Sequence, residues 1–194
     1  MAARPEPRAG PTPRPPVPLR PVRRVPADEP AARGRAGGHR VELVDGVLLV
    51  GPTVAAPHQR AARRLARALE AACAPPLEVF SPFTLRVADD TEVVPDVAVV
   101  AVDEPLPRYP RDARVVAEVL SPRSRRTDVA LKGRVYADAG VPVFVVVDPD
   151  AVTLAVHVLR AGSYVEVARA ARADAARLPG PVPVRLSPAD LVRP

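Results

Sequence analysis

Three polar residues interrupt otherwise apolar segments of the sequence: Asp96, Glu118 and Lys132. Asp96 follows Pro95 at the start of DVAVV, and Glu118 lies inside VVAEVL. A carboxylate inside an apolar strand is costly unless it is paired or bound to a metal ion. Two such carboxylates on nearby strands form an oxygen-rich site suited to a hard divalent cation such as Mg²⁺. Strand position alone equally allows that one or both of them lie at a strand end and reach water.

Lys132 is the only lysine among 28 basic residues, and it lies in a helical pattern. At about 100° per residue, Lys132 falls within the apolar arc of that helix, with Leu131 and Val135. A lysine four residues after an aspartate, here Asp128, usually forms a surface ion pair worth a few tenths of a kcal/mol. This pair would instead face the sheet. The sequence therefore predicts an inward-facing ammonium with an anionic partner, and Glu118 lies on the sheet against which the helix packs.

The hydrophobic pattern predicts strands and helices in a mixed order. They are a hairpin over RVELVDGVLLV, a helix over AAPHQRAARRLARALEAACA, short strands at LEVF and FTLRV, longer buried strands at EVVPDVAVVAV and ARVVAEVLS, a helix from about Ser124 or Thr127 to Asp138, a strand at VFVVVD, a hairpin around Ala161-Gly162, and a short strand and turn over RLSPADLV. The strand, helix, strand order from Val115 to Asp148 is a crossover unit, which places the domain in the α/β (α+β) class.

Length and composition indicate one intracellular domain. The chain has 194 residues, a single cysteine (Cys73), and no apolar run near the roughly 20 residues needed to span a bilayer. We expect a cytoplasmic protein without a membrane segment. Residues 1–40 hold nine arginines and three acidic groups, whereas residues 41–194 hold 19 basic and 19 acidic groups. The basic excess belongs to the leader, so domain charge gives no argument for DNA binding.

The leader, residues 1–39, is rich in proline and arginine and has no apolar periodicity. We expect it to be disordered. Three interpretations stay open: a basic tether to nucleic acid or acidic partners, a solvated extension, and a translation start placed too far upstream.

The order PD, EVLS, D-x-x-x-K-x-x-x-Y and GVPVFVVVD resembles the Uma2 family of endonuclease-like proteins, a branch of the PD-(D/E)XK nuclease superfamily. The likeness covers Val41 to about Asp150, including the opening E-L-V-D-G and the histidine after a proline at the start of the first helix. It implies a restriction-endonuclease-like mixed sheet flanked by helices, with additional β-hairpins, over residues 40–192. The pattern departs at Leu120, where the superfamily usually has lysine.

The resemblance implies that Asp96 and Glu118 are the metal-binding acidic pair. In relatives of this type the lysine is thought to have migrated to the following helix, and Lys132 is the matching position. The implied activity is endonucleolytic hydrolysis of nucleic acid, with DNA expected, assisted by Mg²⁺ or Mn²⁺ on Asp96, Glu118 and the Val119 carbonyl. Lys132 would orient the attacking water or stabilise the transition state.

Four further residues are supporting candidates, each with an ordinary structural alternative. Asp128 would hold Lys132 or contact the metal through water. Glu42 is either a site residue or a solvent-facing strand position. His58 is either a ligand or a satisfied core histidine, and Tyr136 either closes the site or is a core tyrosine with a bonded hydroxyl.

Two functions compete with that of a nuclease. One is a non-catalytic nucleic-acid or protein-binding module that retains the fold. The other is a structural dimerisation domain in which Lys132 only neutralises the acidic pair. A homodimer is also consistent with exposed hairpin edges at Val41 to Val50 or Val152 to Val167.

Overall fold

The computed structural model describes residues 20–24, 34–36, 39–51, 54–102, 112–121 and 127–193. Within these residues most of the strands belong to two six-stranded sheets. The first sheet contains β1 (Arg20–Arg24), β2 (Gly34–Ala36), β3 (His39–Val44), β4 (Val47–Gly51), β6 (Leu85–Ala88) and β7 (Thr91–Val93). The second contains β5 (Leu77–Phe80), β8 (Val97–Ala101), β9 (Ala113–Val119), β10 (Val143–Asp148), β11 (Thr153–Arg160) and β12 (Ser163–Ala171).

The remaining elements are three helices and a small strand pair. They are α1 (Ala56–Glu70), α2 (Thr127–Asp138), α3 (Pro188–Val192), β13 (Ala176–Arg177) and β14 (Arg185–Leu186). Strands in the second sheet run in the order β12, β11, β10, β9, β8, β5, and only β9 and β10 pair in parallel. A parallel pair needs a crossover connection, and α2 lies between these two strands in the chain. The mixed α+β class expected from the pattern is confirmed.

The central strands of the second sheet, β8, β9 and β10, are buried on both faces. One face packs against α1, whose buried residues include His58, Ala62, Leu65 and Leu69, the apolar stripe that the sequence predicts. The other face carries Val116, which clusters with Tyr136 of α2 and Phe144 of β10. Because side chains alternate along a strand, Glu118 shares the face of Val116 and points toward α2.

The hairpin of β3 and β4 turns at Asp45 and Gly46, where φ is 50° and 74°. Two positive φ values in a two-residue loop match the turn predicted for Asp-Gly. The register it fixes places Arg40, Glu42 and Val44 on one face of β3. Val44 belongs to the cluster that contains Tyr136, so this face is turned toward the α2 side of the second sheet.

One predicted strand is two strands in the structure. EVVPDVAVVAV was expected to form a single long strand, but β7 ends at Val93 in the first sheet and β8 begins at Val97 in the second. Pro95 has no N–H to donate to a ladder, so pairing stops there and the chain passes from one sheet to the other. This passage places Asp96 where the two sheets meet.

Two segments of the leader depart from the expected disorder. Arg20–Arg24 pairs with β4, and Gly34–Ala36 pairs with β3. Residues 1–19, 25–33 and 37–38 lie outside the described residues, and the domain boundary at residue 40 stays a prediction. β1 pairs with β4 and so covers the outer edge of the hairpin at Val41 to Val50. The outer edge of β12 has no strand partner in the described part of the chain. The homodimer also stays a prediction.

None of the described helices is long and apolar enough to cross a membrane.

Helix α2 ends in a motif that depends on glycine. The N–H of Gly140 donates to the carbonyl of Ala137, and the N–H of Val141 donates to that of Tyr136. This pair of bonds is the Schellman motif, which requires a left-handed residue, and Gly140 has φ of 74°. The motif ends the helix just after the turn that carries Tyr136.

We predict that Gly133→Ala and Gly140→Ala have opposite effects on the free energy of unfolding. Gly133 lies inside α2, and a Cβ there would meet the Phe144 ring at 3.5 Å, an ordinary contact. The substitution should stabilise the protein by about 0.5–1 kcal/mol, because alanine loses less backbone entropy in a helix. Gly140→Ala should destabilise it by about 1 kcal/mol, since the residue must stay left-handed. Urea denaturation of both variants measures the change in the free energy of unfolding. A destabilising Gly133→Ala would show that the Phe144 ring does not accommodate the added Cβ.

Candidate active site

Asp96 and Glu118 are brought together by strand register. β8 and β9 pair antiparallel with Val97 opposite Ala117, and continuing this register by one residue places Asp96 opposite Glu118. Residues directly opposite on an antiparallel pair point to the same face. Both side chains are buried, with exposed fractions of 3% and 4%. The alternative in which one of them reaches water from a strand end is wrong.

Asp96 is fixed by contacts to both of its oxygens. Oδ2 accepts a hydrogen bond of 2.8 Å from the backbone N–H of Val119 and lies 3.0 Å from Nε2 of His58. Oδ1 accepts a hydrogen bond from Nη2 of Arg40. Burial alone would raise the pKa of Asp96, but the His58 hydrogen bond and the Arg40 charge hold this pKa well below its usual range. Asp96 is therefore an ionised carboxylate in a fixed orientation.

Glu118 is fixed from α2. Its Oε1 accepts a 2.6 Å hydrogen bond from the Tyr136 hydroxyl and a 3.0 Å hydrogen bond from Nζ of Lys132. Its Oε2 lies 3.9 Å from Nη1 of Arg40. Burial raises the pKa of Glu118 to about 7 despite the opposing charge of Lys132, and the Asp96 carboxylate acts in the same direction as burial. The two opposed carboxyl groups thus differ in how readily each takes a proton.

Lys132 points into the fold, as the helical pattern predicts, with 3% of its surface exposed. Its Nζ lies 3.0 Å from Oε1 of Glu42 and 3.0 Å from Oε1 of Glu118. It also donates a 3.4 Å hydrogen bond to the carbonyl of Val94. The ammonium therefore joins β3, β9 and the segment between the two sheets.

Glu42 lies buried in the same cluster, so the solvent-facing alternative is wrong, while its role in the site stays a prediction. It is 8% exposed, and its Oε1 accepts a 2.6 Å hydrogen bond from the backbone N–H of Val94. The same oxygen lies 3.0 Å from Nζ of Lys132, so Glu42 and Glu118 both pair with the ammonium.

His58 and Tyr136 lie at the edges of the same cluster. Both are buried, and each contacts one of the two opposed carboxylates. Nδ1 of His58 is buried without a hydrogen-bond partner. Burial and the Glu118 carboxylate raise the pKa of Tyr136 well above its usual value, so its hydroxyl stays a donor. Asp128 lies in the first turn of α2, but its side chain is outside the described residues, and its supporting role stays a prediction.

Sequence reasoning missed Arg40. Its guanidinium contacts both Asp96 and Glu118. Its side chain is 21% exposed, whereas the other charged side chains of the cluster are at most 9% exposed. A signal was present in the sequence, because Arg40 and Glu42 are two residues apart in a strand and must share a face. Burial alone would lower the pKa of Arg40, but the charges of Asp96, Glu118 and Glu42 raise it above its ordinary value, so the guanidinium stays charged.

The donor chemistry fits a hard divalent cation. Asp96 Oδ2 and Glu118 Oε1 hold the carboxylates in place, and the remaining oxygens, Oδ1 and Oε2, both face one cationic group, the guanidinium of Arg40. Mg²⁺ commonly takes only one or two carboxylates and keeps several waters. Among the described residues no group of three or more His, Cys, Asp or Glu side chains is arranged to hold a metal ion. The protein would therefore offer two carboxylates rather than a full cage.

Comparison with known proteins gives a family and a fold. Residues 30–189 match the Uma2 family, described as "Putative restriction endonuclease". The fold is similar to the crystal structure of "a putative nuclease belonging to DUF820" from Anabaena variabilis ATCC 29413, with a TM-score of 0.66 and 20% sequence identity over 79% of this chain and 89% of that one. At this identity the likeness concerns the fold alone. No curated protein matches the chain.

We predict that Lys132→Met lowers the free energy of unfolding by about 3 kcal/mol, because two buried carboxylates lose their shared cation. Arg134→Met on the same helix is the matched control. Arg134 is 75% exposed and pairs with Asp138 at 3.5 Å, so its removal should change stability by less than about 0.5 kcal/mol. Chemical denaturation compares the two variants. Equal effects would show that burial of the Lys132 cluster contributes little to stability.

Proposed function

The chain belongs to the Uma2 family, and on that basis we propose that it is a metal-dependent endonuclease that hydrolyses phosphodiester bonds, with DNA as its substrate. One observation carries the proposal: the buried, opposed carboxylates of Asp96 and Glu118 each direct one oxygen toward the Arg40 guanidinium. The buried ammonium of Lys132 lies next to them. The DNA substrate is supported by the family description, which names a restriction endonuclease.

Asp96 and Glu118 would hold Mg²⁺ or Mn²⁺, and the Val119 carbonyl is a further candidate ligand. When bound, the cation supplies positive charge that polarises a phosphoryl oxygen and favours deprotonation of an attacking water. In hydrolysis the water oxygen forms a bond to phosphorus, the ester P–O bond breaks, and the proton lost by the water is balanced by one gained on the leaving oxygen.

The chain's own residues orient this chemistry. His58 and the Val119 N–H fix Asp96, while Tyr136 and Lys132 fix Glu118. Fixed charges act strongly at a site that excludes water, because they need no reorganisation as negative charge develops on the phosphate. The Lys132 ammonium, which lies 3.0 Å from Oε1 of Glu118, would supply such a charge.

The compactness of Lys132 supports this role over a guanidinium at the same position. A single nitrogen lies within 3.0 Å of two carboxylates on different strands and 3.4 Å of a backbone carbonyl. A planar guanidinium spreads its donors over a fork and is larger, so it would not reproduce this arrangement without moving β3 or β9.

The proposal predicts Mg²⁺- or Mn²⁺-dependent cleavage of plasmid or single-stranded DNA by the full chain, abolished by a chelator. Asp96→Asn, Glu118→Gln and Lys132→Met should each lower the cleavage rate by about 100-fold or more, since each removes a charge that acts on the reacting phosphate. Gel analysis of the digested DNA measures the rates.

Glu92→Gln is the matched control for these variants. Glu92 is as buried as Glu118, at 4%, and hydrogen-bonds to Arg86. It pairs with Leu43, whose neighbour Glu42 points to the opposite face, so Glu92 faces away from the site. Its substitution should leave cleavage unchanged.

Three outcomes would contradict the proposal. Cleavage that persists equally in all site variants would place the activity elsewhere or in a contaminant. Binding of nucleic acid without any cleavage would favour the non-catalytic binding module. Neither binding nor cleavage, with folded protein throughout, would favour a structural role for the charged cluster.

A further inference from the structure

Arg40 occupies the space between the two carboxylates that face each other. Its Nη2 donates to Oδ1 of Asp96, and its Nη1 lies 3.9 Å from Oε2 of Glu118. These are the two oxygens that the fixing contacts from His58, the Val119 N–H, Tyr136 and Lys132 leave available. A cation that bridges the acidic pair needs the same two oxygens, so guanidinium and metal ion compete for one position.

The charges of the cluster favour exchange over joint occupancy. Three carboxyl groups, from Glu42, Asp96 and Glu118, face the two cationic groups of Lys132 and Arg40. If the guanidinium leaves, the three carboxyl groups keep Lys132 as their cationic neighbour, and this excess of acidic groups favours binding of a divalent cation. If it stays, the incoming cation meets a fixed positive charge at close range, and this repulsion is strong where water is scarce.

Arg40 is also the member of the cluster best able to move. Its side chain is 21% exposed, whereas those of Asp96 and Lys132 are each 3% exposed. A long, flexible side chain that already reaches the surface can turn into solvent without repacking the core.

Comparison with Arg86 shows that this is not the geometry of an ordinary structural pair. Nε and Nη2 of Arg86 donate to a single oxygen, Oε1 of Glu92, at 2.9 and 2.6 Å. Arg40 instead divides its two terminal nitrogens between Asp96, just before β8, and Glu118 on β9. That division is the arrangement expected of a group standing in for a bridging cation.

We propose that Arg40 is a positioning residue that occupies the cation position in the metal-free protein, and that a divalent cation binds by displacing its guanidinium toward solvent. The inference rests on the proposed function, because it takes Asp96 and Glu118 as the cation site. Arg40 would then set the cation concentration at which the site loads, while keeping the two carboxylates paired when no metal is present.

Calorimetric titration of the full chain with Mn²⁺ alone, without nucleic acid, tests the exchange. Arg40→Ala should bind Mn²⁺ about ten-fold more tightly than the wild type or better, because the wild-type site is competent only in the fraction of molecules whose guanidinium has left. Arg86→Ala, which removes a similarly half-buried arginine from a buried carboxylate, should bind Mn²⁺ as the wild type does. A general loosening of the fold would weaken binding instead of strengthening it.

A second variant and a direct measurement cover the case in which Arg40→Ala does not fold. Arg40→Gln keeps a hydrogen-bond donor toward Asp96 and removes the charge, and it should also bind Mn²⁺ more tightly. In the ¹⁵N-labelled wild type, the Nε–Hε signal of Arg40, assigned by its loss in Arg40→Gln, should shift on addition of diamagnetic Mg²⁺.

The outcomes separate this inference from the proposed function. If the wild type binds Mn²⁺ but neither Arg40 variant binds it more tightly, or if the Arg40 signal does not respond to Mg²⁺, the exchange is wrong and the nuclease proposal stands. If no variant binds Mn²⁺ at all, metal dependence fails and the exchange fails with it. Binding in an Arg40 variant but not in the wild type would support the exchange in its strongest form.

Discussion

Two carboxylates that are buried side by side lose their hydration and repel each other, and much of this structure meets that single constraint. Asp96, just before β8, and Glu118, on β9, occupy opposed positions with almost no exposed surface. Such a pair persists only with cations and hydrogen-bond donors around it. Lys132 and Arg40 provide the charge, and a histidine, a tyrosine and a backbone amide provide the donors.

The partners come from parts of the chain that are far apart in sequence. Arg40 and Asp96 are separated by 56 residues, and Lys132 and Val94 by 38. The two sheets and both long helices must therefore be assembled before the charged cluster exists. The passage of the chain from β7 to β8 at Pro95 is the point on which these contacts converge. Substitutions that move the two sheets apart would therefore disturb the contacts of this cluster first.

The chain resembles the superfamily pattern but differs from it in the position of the lysine. Leu120 stands two residues after Glu118, where that pattern usually has lysine, and the ammonium comes from α2 instead. The crossover between the parallel strands β9 and β10 makes this possible, since the connecting helix packs over the strand that carries Glu118. The family match and the similar fold agree with this architecture, while the roles of the individual side chains are proposals that rest on their geometry.

The sequence alone determined several local features of the fold. Period-3.6 spacing directed Lys132 inward, alternation placed Glu118 with Val116, and Asp45-Gly46 set the turn of the first hairpin. These features depend on neighbours in the chain, so local patterns report them. Catalytic roles, the metal ion, DNA, the dimer and the role of Asp128 stay predictions.

Only the tertiary structure decided which faces meet. The break at Pro95 between two sheets, the burial of Glu42 against Lys132, and Arg40 between the two carboxylates depend on contacts across the fold. An arginine or glutamate on a half-polar strand looks the same in sequence whether its face meets water or an opposing charge. The partner that fixes its role lies on another element, and its distance is set by packing rather than by spacing along the chain.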